Sequence, residues 1–438
     1  MADTFTIEAD WEVLREGAPE ERACFAAIGI GQRDTWLTEA EDRFVNRVRH
    51  KVHLSAYRLA EWLAWNWWRL RWEPQKRAPE WALAHRMTTI GGGFVWPNIT
   101  VFSDGERVAL LARPTLSRPN EPFRYVADKV LVVRAASFED TIDRFVSQVL
   151  GQLREEAIAD TNLERIWQDV RAERLDPELA FHRRLEALLG SEPDAADDPE
   201  LLDRLASDAA TLGVSGTAEL AADHEPGETV MTGAALLLSG AGVHHHSSPR
   251  DVVRLDPAIR LSPAGEVPAW QRGAEAARAL RAQERLGAAP ISNARLADLS
   301  GAATSALKSG PGGGRISFSL DESETNGIVV LRSKWGTGRR FELARLLGDR
   351  IASDPEGRFF PETRAYTYRQ KLQRSFAVEL LCPFEAVEEM LGGDCSDEKQ
   401  IEVARHFDVS ELAVRTLLVN HGLIDRDRLA MEAEANTV

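Results

Sequence analysis

Cysteine is scarce in this sequence, and it has no apolar run long enough to cross a membrane. The three cysteines, Cys24, Cys382 and Cys395, are far apart and form no C-x-x-C pair, which excludes a disulfide framework and a cysteine-rich zinc module. The longest apolar stretches, such as residues 233–238, are far shorter than the roughly 20 residues that a spanning helix needs. Because acidic residues also stand where a secretory signal needs an apolar segment, we expect a cytoplasmic protein without membrane association.

Positive charge is in deficit as well. Lysine and arginine number 53 against 69 aspartates and glutamates, which gives a formal net charge of −16. This balance argues against a protein that binds nucleic acid or anionic lipid mainly through a broad positively charged surface. It is compatible with a local basic patch. The 438 residues, of which 44% are hydrophobic, suffice for two or three domains with buried cores.

Tryptophan content and hydrophobic periodicity divide the chain into regions. Nine of the 12 tryptophans precede residue 100, and strand-like alternation there predicts a mixed α+β domain over residues 1–136. Helical periodicity predicts a helical region over 137–222, and several glycines and prolines with little sustained period predict a linker over 223–269. A second compact domain is expected over 270–425 and an acidic tail over 426–438. The predicted fold class is α+β.

Two stretches of the second domain carry the most informative pattern: RRFELARLLGDR at residues 339–350 and RQKLQRSFAVELLCP at residues 369–383. Together they resemble the ImmA/IrrE family of zinc metallopeptidase-like proteins, whose typical motifs are A-H-E-x-G-H on one helix and F-A-x-x-L-L-x-P on a later one. The resemblance covers about residues 270–425 and implies a mostly helical, zincin-like fold that ends in a helix-turn-helix. The matching residues are Arg340, Phe341, Leu343, Ala344 and Gly348, then Phe376, Ala377, Glu379, Leu380, Leu381 and Pro383.

The first motif differs from the family pattern at the positions that bind zinc and transfer the proton. An H-E-x-x-H helix binds zinc through two imidazoles on one face, and its glutamate moves the proton of the metal-bound water. Here the three positions hold Arg345, Leu346 and Asp349. A guanidinium offers no lone pair to a metal, and leucine transfers no proton. The downstream segment 370–373 also lacks His, Glu and Asp. We therefore expect no metal, no cofactor and no catalytic residue, and we hypothesise that an Arg345–Asp349 ion pair fills the space of the metal.

Residues 399–420 fit a helix-turn-helix. Ser410 is the expected cap of the second helix, and Asp408 stands where glycine is usual, since aspartate tolerates a left-handed backbone. On a DNA reader the exposed side of the second helix would face the major groove. The candidate contacts with DNA or a partner are Arg415, Thr416 and Asn420.

A tryptophan-rich helix is predicted near residues 62–72. Trp65, Trp68 and Trp72 share one helical face, which is typical of core packing. Trp67 lies off that face, with Arg69 and Arg71 beside it. Core packing is the favoured interpretation of Trp67 too, and stacking on a base or a partner is the alternative.

Three functions fit these patterns. The first is a non-catalytic regulatory or assembly subunit, a pseudo-metallopeptidase that binds a protein partner, such as a nuclease, helicase or toxin, and DNA. The resemblance places such a subunit in bacterial stress responses, toxin–antitoxin loci or antiviral (phage) defence. The second is a divergent metal-dependent peptidase or hydrolase whose ligands come from the histidine triplet 244–246, Asp349 or Glu342. The third is a DNA-binding transcriptional regulator that acts through the C-terminal helix pair.

Overall fold

The computed structural model describes residues 5–43, 45–76, 78–116, 123–193, 199–225, 228, 230, 232–233, 235–236, 243–352 and 357–425. The chain divides into two compact units. Unit 1 consists of Met1–Leu202 with His224–Glu228, and unit 2 of Asp203–Asp223 with Thr229–Val438. Helices and strands occur in both units, which confirms the predicted α+β class. The predicted acidic tail, 426–438, lies outside the described residues.

The strands of unit 1 form three antiparallel sheets. β2 is the centre of the first sheet, where it pairs with β1, β3 and β6. The second sheet has the order β10-β8-β7 and the third the order β5-β4-β9. Gly105, with φ of 100°, makes the hairpin turn between β7 and β8. The strands are β1 (Thr6–Trp11), β2 (Phe25–Gln32), β3 (Thr35–Trp36), β4 (Ala40–Asp42), β5 (Arg47–Arg49), β6 (Val52–Ser55), β7 (Ile99–Ser103), β8 (Arg107–Ala112), β9 (Phe123–Tyr125) and β10 (Lys129–Arg134).

The helices of unit 1 share one hydrophobic core with these sheets. The long helix α5 buries the apolar stripe Phe138, Ile142, Phe145, Val149 and Leu153 in that core. The compact unit therefore extends past the boundary that we predicted at residue 136. The helices are α1 (Pro19–Ala23), α2 (Ala56–Trp65), α3 (Trp67–Trp72), α4 (Pro79–His85), α5 (Ala135–Glu155), α6 (Asn162–Leu175), α7 (Pro177–Leu189) and the start of α8 (Pro199–Leu212).

Unit 2 contains a five-stranded antiparallel sheet of order β12-β11-β14-β13-β15. Its strands are β11 (His245–Val252), β12 (Ser300–Ala302), β13 (Ser317–Asp321), β14 (Gly327–Val330) and β15 (Phe359–Glu362). β11 lies inside the segment 223–269, so the predicted linker is wrong for residues 245–252. The strand was missed because its polar sequence, HHSSPRDV, lacks apolar alternation and is held by backbone pairing with β12 and β14.

The helices of unit 2 pack around α13, which contacts both α10 and α12. Two glycines permit this close approach. A Cβ on Gly273 of α10 would lie 2.5 Å from the Leu372 carbonyl oxygen, and one on Gly348 of α12 would lie 2.5 Å from a ring atom of Phe376. The helices are α9 (Val214–Ala222), α10 (Ala269–Gln283), α11 (Asn293–Leu299), α12 (Gly336–Ala352), α13 (Tyr368–Leu381), α14 (Phe384–Leu391), α15 (Asp397–Phe407) and α16 (Glu411–Asn420). Among the described residues, no helix combines the length and apolarity needed to span a bilayer.

Candidate functional site

The three positions of the altered motif lie on the inner side of α12, which packs against β15 and α13. Arg345 is 6% exposed and Asp349 is fully buried, so the i,i+4 spacing directs both charges into unit 2. Leu346, 1% exposed, belongs instead to the hydrophobic core. The motif positions 345 and 349 are therefore buried polar sites, and the structure shows which residues bind them.

Arg345 is bound by oxygen atoms from β15, from the residue that follows it and from α13. Its Nη1 donates to Glu362 Oε1 at 2.5 Å, and its Nη2 donates to Gln370 Oε1 at 2.7 Å and to the Thr363 carbonyl oxygen at 3.2 Å. Burial lowers the pKa of Arg345, while the carboxylates of Glu362 and Asp349 raise it. The guanidinium is therefore compensated by one carboxylate and by neutral oxygens.

Two glutamines of α13 are oriented by the backbone of β15. Gln370 Nε2 and Gln373 Nε2 donate to the Pro361 carbonyl oxygen at 3.0 and 3.1 Å. This arrangement turns their amide oxygens toward Arg345, which lies 3.4 Å from Gln373 Oε1. Where the resemblance would place a metal ligand, in residues 370–373, this chain has glutamine amides, and they accept hydrogen bonds from Arg345.

Asp349 is paired with Arg369 of α13. The Nε and Nη2 atoms of Arg369 donate to the two carboxylate oxygens of Asp349, each at 2.7 Å. The predicted Arg345–Asp349 pair is therefore wrong, since each residue pairs with a different residue outside α12. The physical reason is geometry, because a fork-shaped guanidinium from a facing helix meets both oxygens of a carboxylate at once.

A third carboxyl group, Glu219 of α9, lies beside this cluster. Thr367 Oγ1 donates to Glu219 Oε2 at 2.8 Å, and the same hydroxyl caps α13 by accepting from the Gln370 amide. Burial raises the pKa of Glu219, and the positive charge of Arg369 opposes that rise. Arg374, which donates to the Thr363 and Ala365 carbonyl oxygens, has a pKa lowered to about 10 by burial.

This buried polar cluster comprises Glu219, Arg345, Asp349, Glu362, Arg369, Gln370 and Gln373. Sequence reasoning missed Glu362 and Glu219, because neither residue belongs to a motif and both join the cluster through pairing of distant segments. Across the part of the chain that the structure describes, no group of three or more His, Cys, Asp and Glu is placed to hold a metal ion. The chemistry of the cluster is that of paired charges that fix the packing of α9, α12, α13 and β15.

Comparisons of the chain with protein-family models, with curated proteins and with solved structures find no match. The resemblance to the ImmA/IrrE family thus depends on the residues quoted for it.

The remaining candidates of the hydrolase hypothesis lie apart from the buried polar cluster or have structural partners. Glu342 accepts from the Ser333 amide with both carboxylate oxygens, at 3.1 and 3.0 Å, and burial raises its pKa. His245 and His246 are in β11, and His245 Nε2 lies 3.4 Å from Arg339 Nη1. Burial and the charge of Arg339 lower the pKa of His245.

Two local features of the C-terminal helix pair, at Asp408 and Ser410, agree with the sequence analysis. Asp408 adopts φ of 51° between α15 and α16, and Ser410 Oγ accepts from the Ala413 amide at 3.2 Å. Arg415 Nη2 lies 3.2 Å from Asp397 Oδ1, so this candidate DNA contact is paired within the helix pair. The other two candidates differ, because Thr416 Oγ1 donates to the Leu412 carbonyl oxygen and Asn420 lines a shallow cavity with Trp270.

The structure contradicts the alternative in which Trp67 is exposed for stacking. Trp67 is 2% exposed and packs edge-on against Trp167, whereas Trp65 is 53% exposed. The reason is a break at Asn66, where ψ of 11° ends α2 and starts α3 in a new helical phase. Both candidate arginines are paired inside unit 1 as well: Arg69 donates to Glu73 at 2.7 Å, and Arg71 donates to Glu139 at 2.5 Å.

Proposed function

We propose that this protein is a non-catalytic regulatory or assembly subunit whose unit 2 is an ImmA/IrrE-like, zincin-like pseudo-metallopeptidase. The observation that carries the proposal is that Arg345 is paired with Glu362 and Asp349 with Arg369. Arg345 and Asp349 occupy motif positions on α12, both are buried, and each is bound by a residue of another element.

A divalent metal would meet unfavourable chemistry at this place. The guanidinium of Arg345 repels a cation and offers it no lone pair. Both carboxylate oxygens of Asp349 accept hydrogen bonds from Arg369 at 2.7 Å, so metal binding would have to break a buried ion pair. This supports the pseudo-peptidase over the divergent hydrolase.

A peptidase-like domain without catalytic residues can still bind a protein partner. The resemblance suggests a protein partner, such as a nuclease, helicase or toxin, in a bacterial stress, toxin–antitoxin or phage-defence system in the cytoplasm. Exposed apolar side chains of unit 2, Leu412 at the start of α16 and Tyr366 before α13, are available for such contacts.

A DNA-binding regulator is the second candidate, and the left-handed Asp408 between two capped helices favours it. If the helix pair binds DNA, Arg415→Ala reduces the slope of log affinity against log salt by about one unit. An unchanged slope would leave the helix pair as a packing module.

Metal analysis of tag-free protein tests the main proposal. We expect substoichiometric zinc in the wild type after purification without chelators, and the same content in Asp349→Ala. We also expect a stable complex with the product of a neighbouring gene, unchanged by a chelator. Stoichiometric zinc that disappears in Asp349→Ala would establish the hydrolase instead.

A further inference from the structure

Two loops of unit 2 lie side by side where α12 begins, and we call residues 308–315 and 331–336 the basic loop surface. The Gly310 amide donates to the Lys334 carbonyl oxygen at 3.1 Å, and the Gly313 amide donates to the Leu331 carbonyl oxygen at 2.9 Å. Ser309 Oγ also accepts from the Gly336 amide at 3.1 Å. These hydrogen bonds fix the position of one loop relative to the other.

The basic loop surface carries concentrated positive charge in an acidic protein. Residues 303–316 and 327–341 contain no aspartate or glutamate, although the whole chain has 69. Several cationic side chains of the two loops are exposed to solvent. Among them are Lys308, Arg332 and Lys334.

A buried arginine beneath the loops adds to this charge. Arg339 donates to the carbonyl oxygens of Ser333, Ala306 and Pro311, at 2.8, 2.9 and 2.6 Å, and so fixes both loops through neutral acceptors. Its charge contributes to the lowered pKa of His245, after burial as the main cause.

The carboxylates of Glu342 and Asp408 adjoin the surface. Glu342 is buried and accepts from the Ser333 amide. Asp408 accepts from Thr337 Oγ1 at 2.9 Å and lies 3.2 Å from Arg340 Nε. Arg340 therefore compensates the charge of Asp408, whereas Glu342 interacts with Arg332 and offsets part of its charge.

Trp335 projects from the centre of this surface. Its side chain is 76% exposed, while its backbone is fixed, because its amide donates to Ser333 Oγ and its carbonyl oxygen accepts from the Arg339 amide. Lys334 precedes it and Gly336 follows it. A rigidly held, exposed indole among cations is a platform on which a base can stack.

We propose that the basic loop surface binds single-stranded nucleic acid, with phosphates on the exposed lysines and arginines and an unpaired base stacked on Trp335. A single strand fits better than a duplex, because the bases of a duplex are already stacked and shielded from an indole. The small footprint also fits a protein whose net charge of −16 resists a long contact with a polyanion. The proposal is independent of the missing zinc ligands and of Arg415.

Fluorescence anisotropy of the full chain with labelled oligo(dT) and oligo(rU) of about 12 nucleotides tests it. We expect saturable binding at low salt to at least one of the two, with quenching of tryptophan emission, and the stronger binder identifies the preferred sugar. Trp335→Ala should weaken binding about tenfold. Lys308→Ala with Lys334→Ala should reduce the salt slope by about 1.4, at roughly 0.7 per cation on a single strand.

Matched controls keep the result specific to this surface. Trp65→Ala removes another exposed tryptophan and Lys399→Ala another partly exposed lysine, and both should bind as the wild type does. The proposal is overturned by absent binding, by equal binding of a duplex, or by a loss in Arg415→Ala that Trp335→Ala does not show. An oligoglutamate that competes as well as the oligonucleotide would overturn it too, because it would indicate an acidic protein as the ligand.

Discussion

Arginine side chains on α12 bring charge into the interior of unit 2, and each finds different acceptors there. Arg339 binds carbonyl oxygens, Arg340 binds the Ile291 carbonyl oxygen and Asn293 Oδ1, and Arg345 binds a carboxylate and an amide. A buried guanidinium without such acceptors would carry a large desolvation cost. These residues therefore depend on the exact position of the segments that provide the acceptors.

Variants of Arg345 and Glu362 can distinguish two free energies: the destabilisation caused by one unpaired buried charge, and the net contribution of the ion pair to stability. Arg345→Met leaves the Glu362 carboxylate buried without its cation, and we expect the free energy of unfolding to fall by about 3–5 kcal/mol. The double variant Arg345→Met with Glu362→Leu should recover most of that loss. Arg345 Nε and Glu362 Oε2 already lack a hydrogen-bond partner among the described residues, and Gln370 Oε1 still accepts from the Thr363 amide.

Urea unfolding of the wild type, both variants and Lys399→Ala measures these differences. Lys399 forms an exposed i,i+3 pair with Glu402, so its variant should unfold at the same urea concentration as the wild type. If the double variant were as unstable as the single one, the attraction within the Arg345–Glu362 pair would have to exceed the free energy needed to desolvate both groups.

Glu219 gives the buried polar cluster a pH dependence of predictable sign. Because burial raises its folded-state pKa, the folded state holds the proton more tightly than the unfolded state. Its contribution to stability is complete below the unfolded pKa of about 4.3 and is lost as pH rises through the folded pKa. Glu219→Gln should therefore stabilise the protein at pH 8 and have little effect near pH 4.

The measurement is the thermal midpoint of unfolding across that pH range, with Glu389→Gln as the exposed control on α14. A glutamine at 219 can still accept from Thr367 Oγ1, so the variant changes charge more than hydrogen bonding. A stability gain of equal size at all pH values would contradict the assignment of the effect to ionisation.

At the scale of elements, local signals were predictable and long-range pairing was not. The caps at Thr161, Asp176 and Ser410 each accept from amides of their own helix, so a few neighbouring residues determine where the helix starts. The strand β11 depends on distant partners, β12 and β14, which residue patterns do not contain. In the buried polar cluster, likewise, the burial of Arg345 follows from its helix face, whereas Glu362 comes from a separate strand.

The packing of α12 on α13 leads to a prediction about two helical glycines. A methyl group on Gly348 would overlap the ring of Phe376, so Gly348→Ala should destabilise the protein by about 1–3 kcal/mol despite the better helix propensity of alanine. A methyl group on Gly151, inside α5, would meet no neighbouring atom within 4 Å. Gly151→Ala should instead stabilise by about 0.5–1 kcal/mol.

Urea unfolding of the two variants compares the same chemical change in two environments. The same sign of change in both would contradict the close approach at Gly348, because helix propensity alone would then determine the outcome.

On the scale of the whole molecule, the hydrophobic cores follow the two compact units. The core around α5 and the sheets of unit 1 contains residues from Phe5 to Ala187, and the core around α12 and α13 contains residues from Val252 to Leu418. The sequence predicted two domains because its periodicity changes along the chain. It placed their limits elsewhere, since α5–α7 look like a separate helical region until their apolar faces are matched with the sheets.

Separate cores should make the thermal unfolding of this chain a two-step process. Trp67→Ala removes a large side chain from the core of unit 1, at a cost of about 3–5 kcal/mol, while Gly348→Ala strains the core of unit 2. Differential scanning calorimetry should show two transitions, of which each variant lowers a different one, because one two-state transition is not expected of two compact units. The double variant should lower both by the same amounts as the single variants. A single transition lowered by either substitution would mean that the two cores unfold as one cooperative structure, and the stability effects at the buried polar cluster would then have to be interpreted for the whole chain.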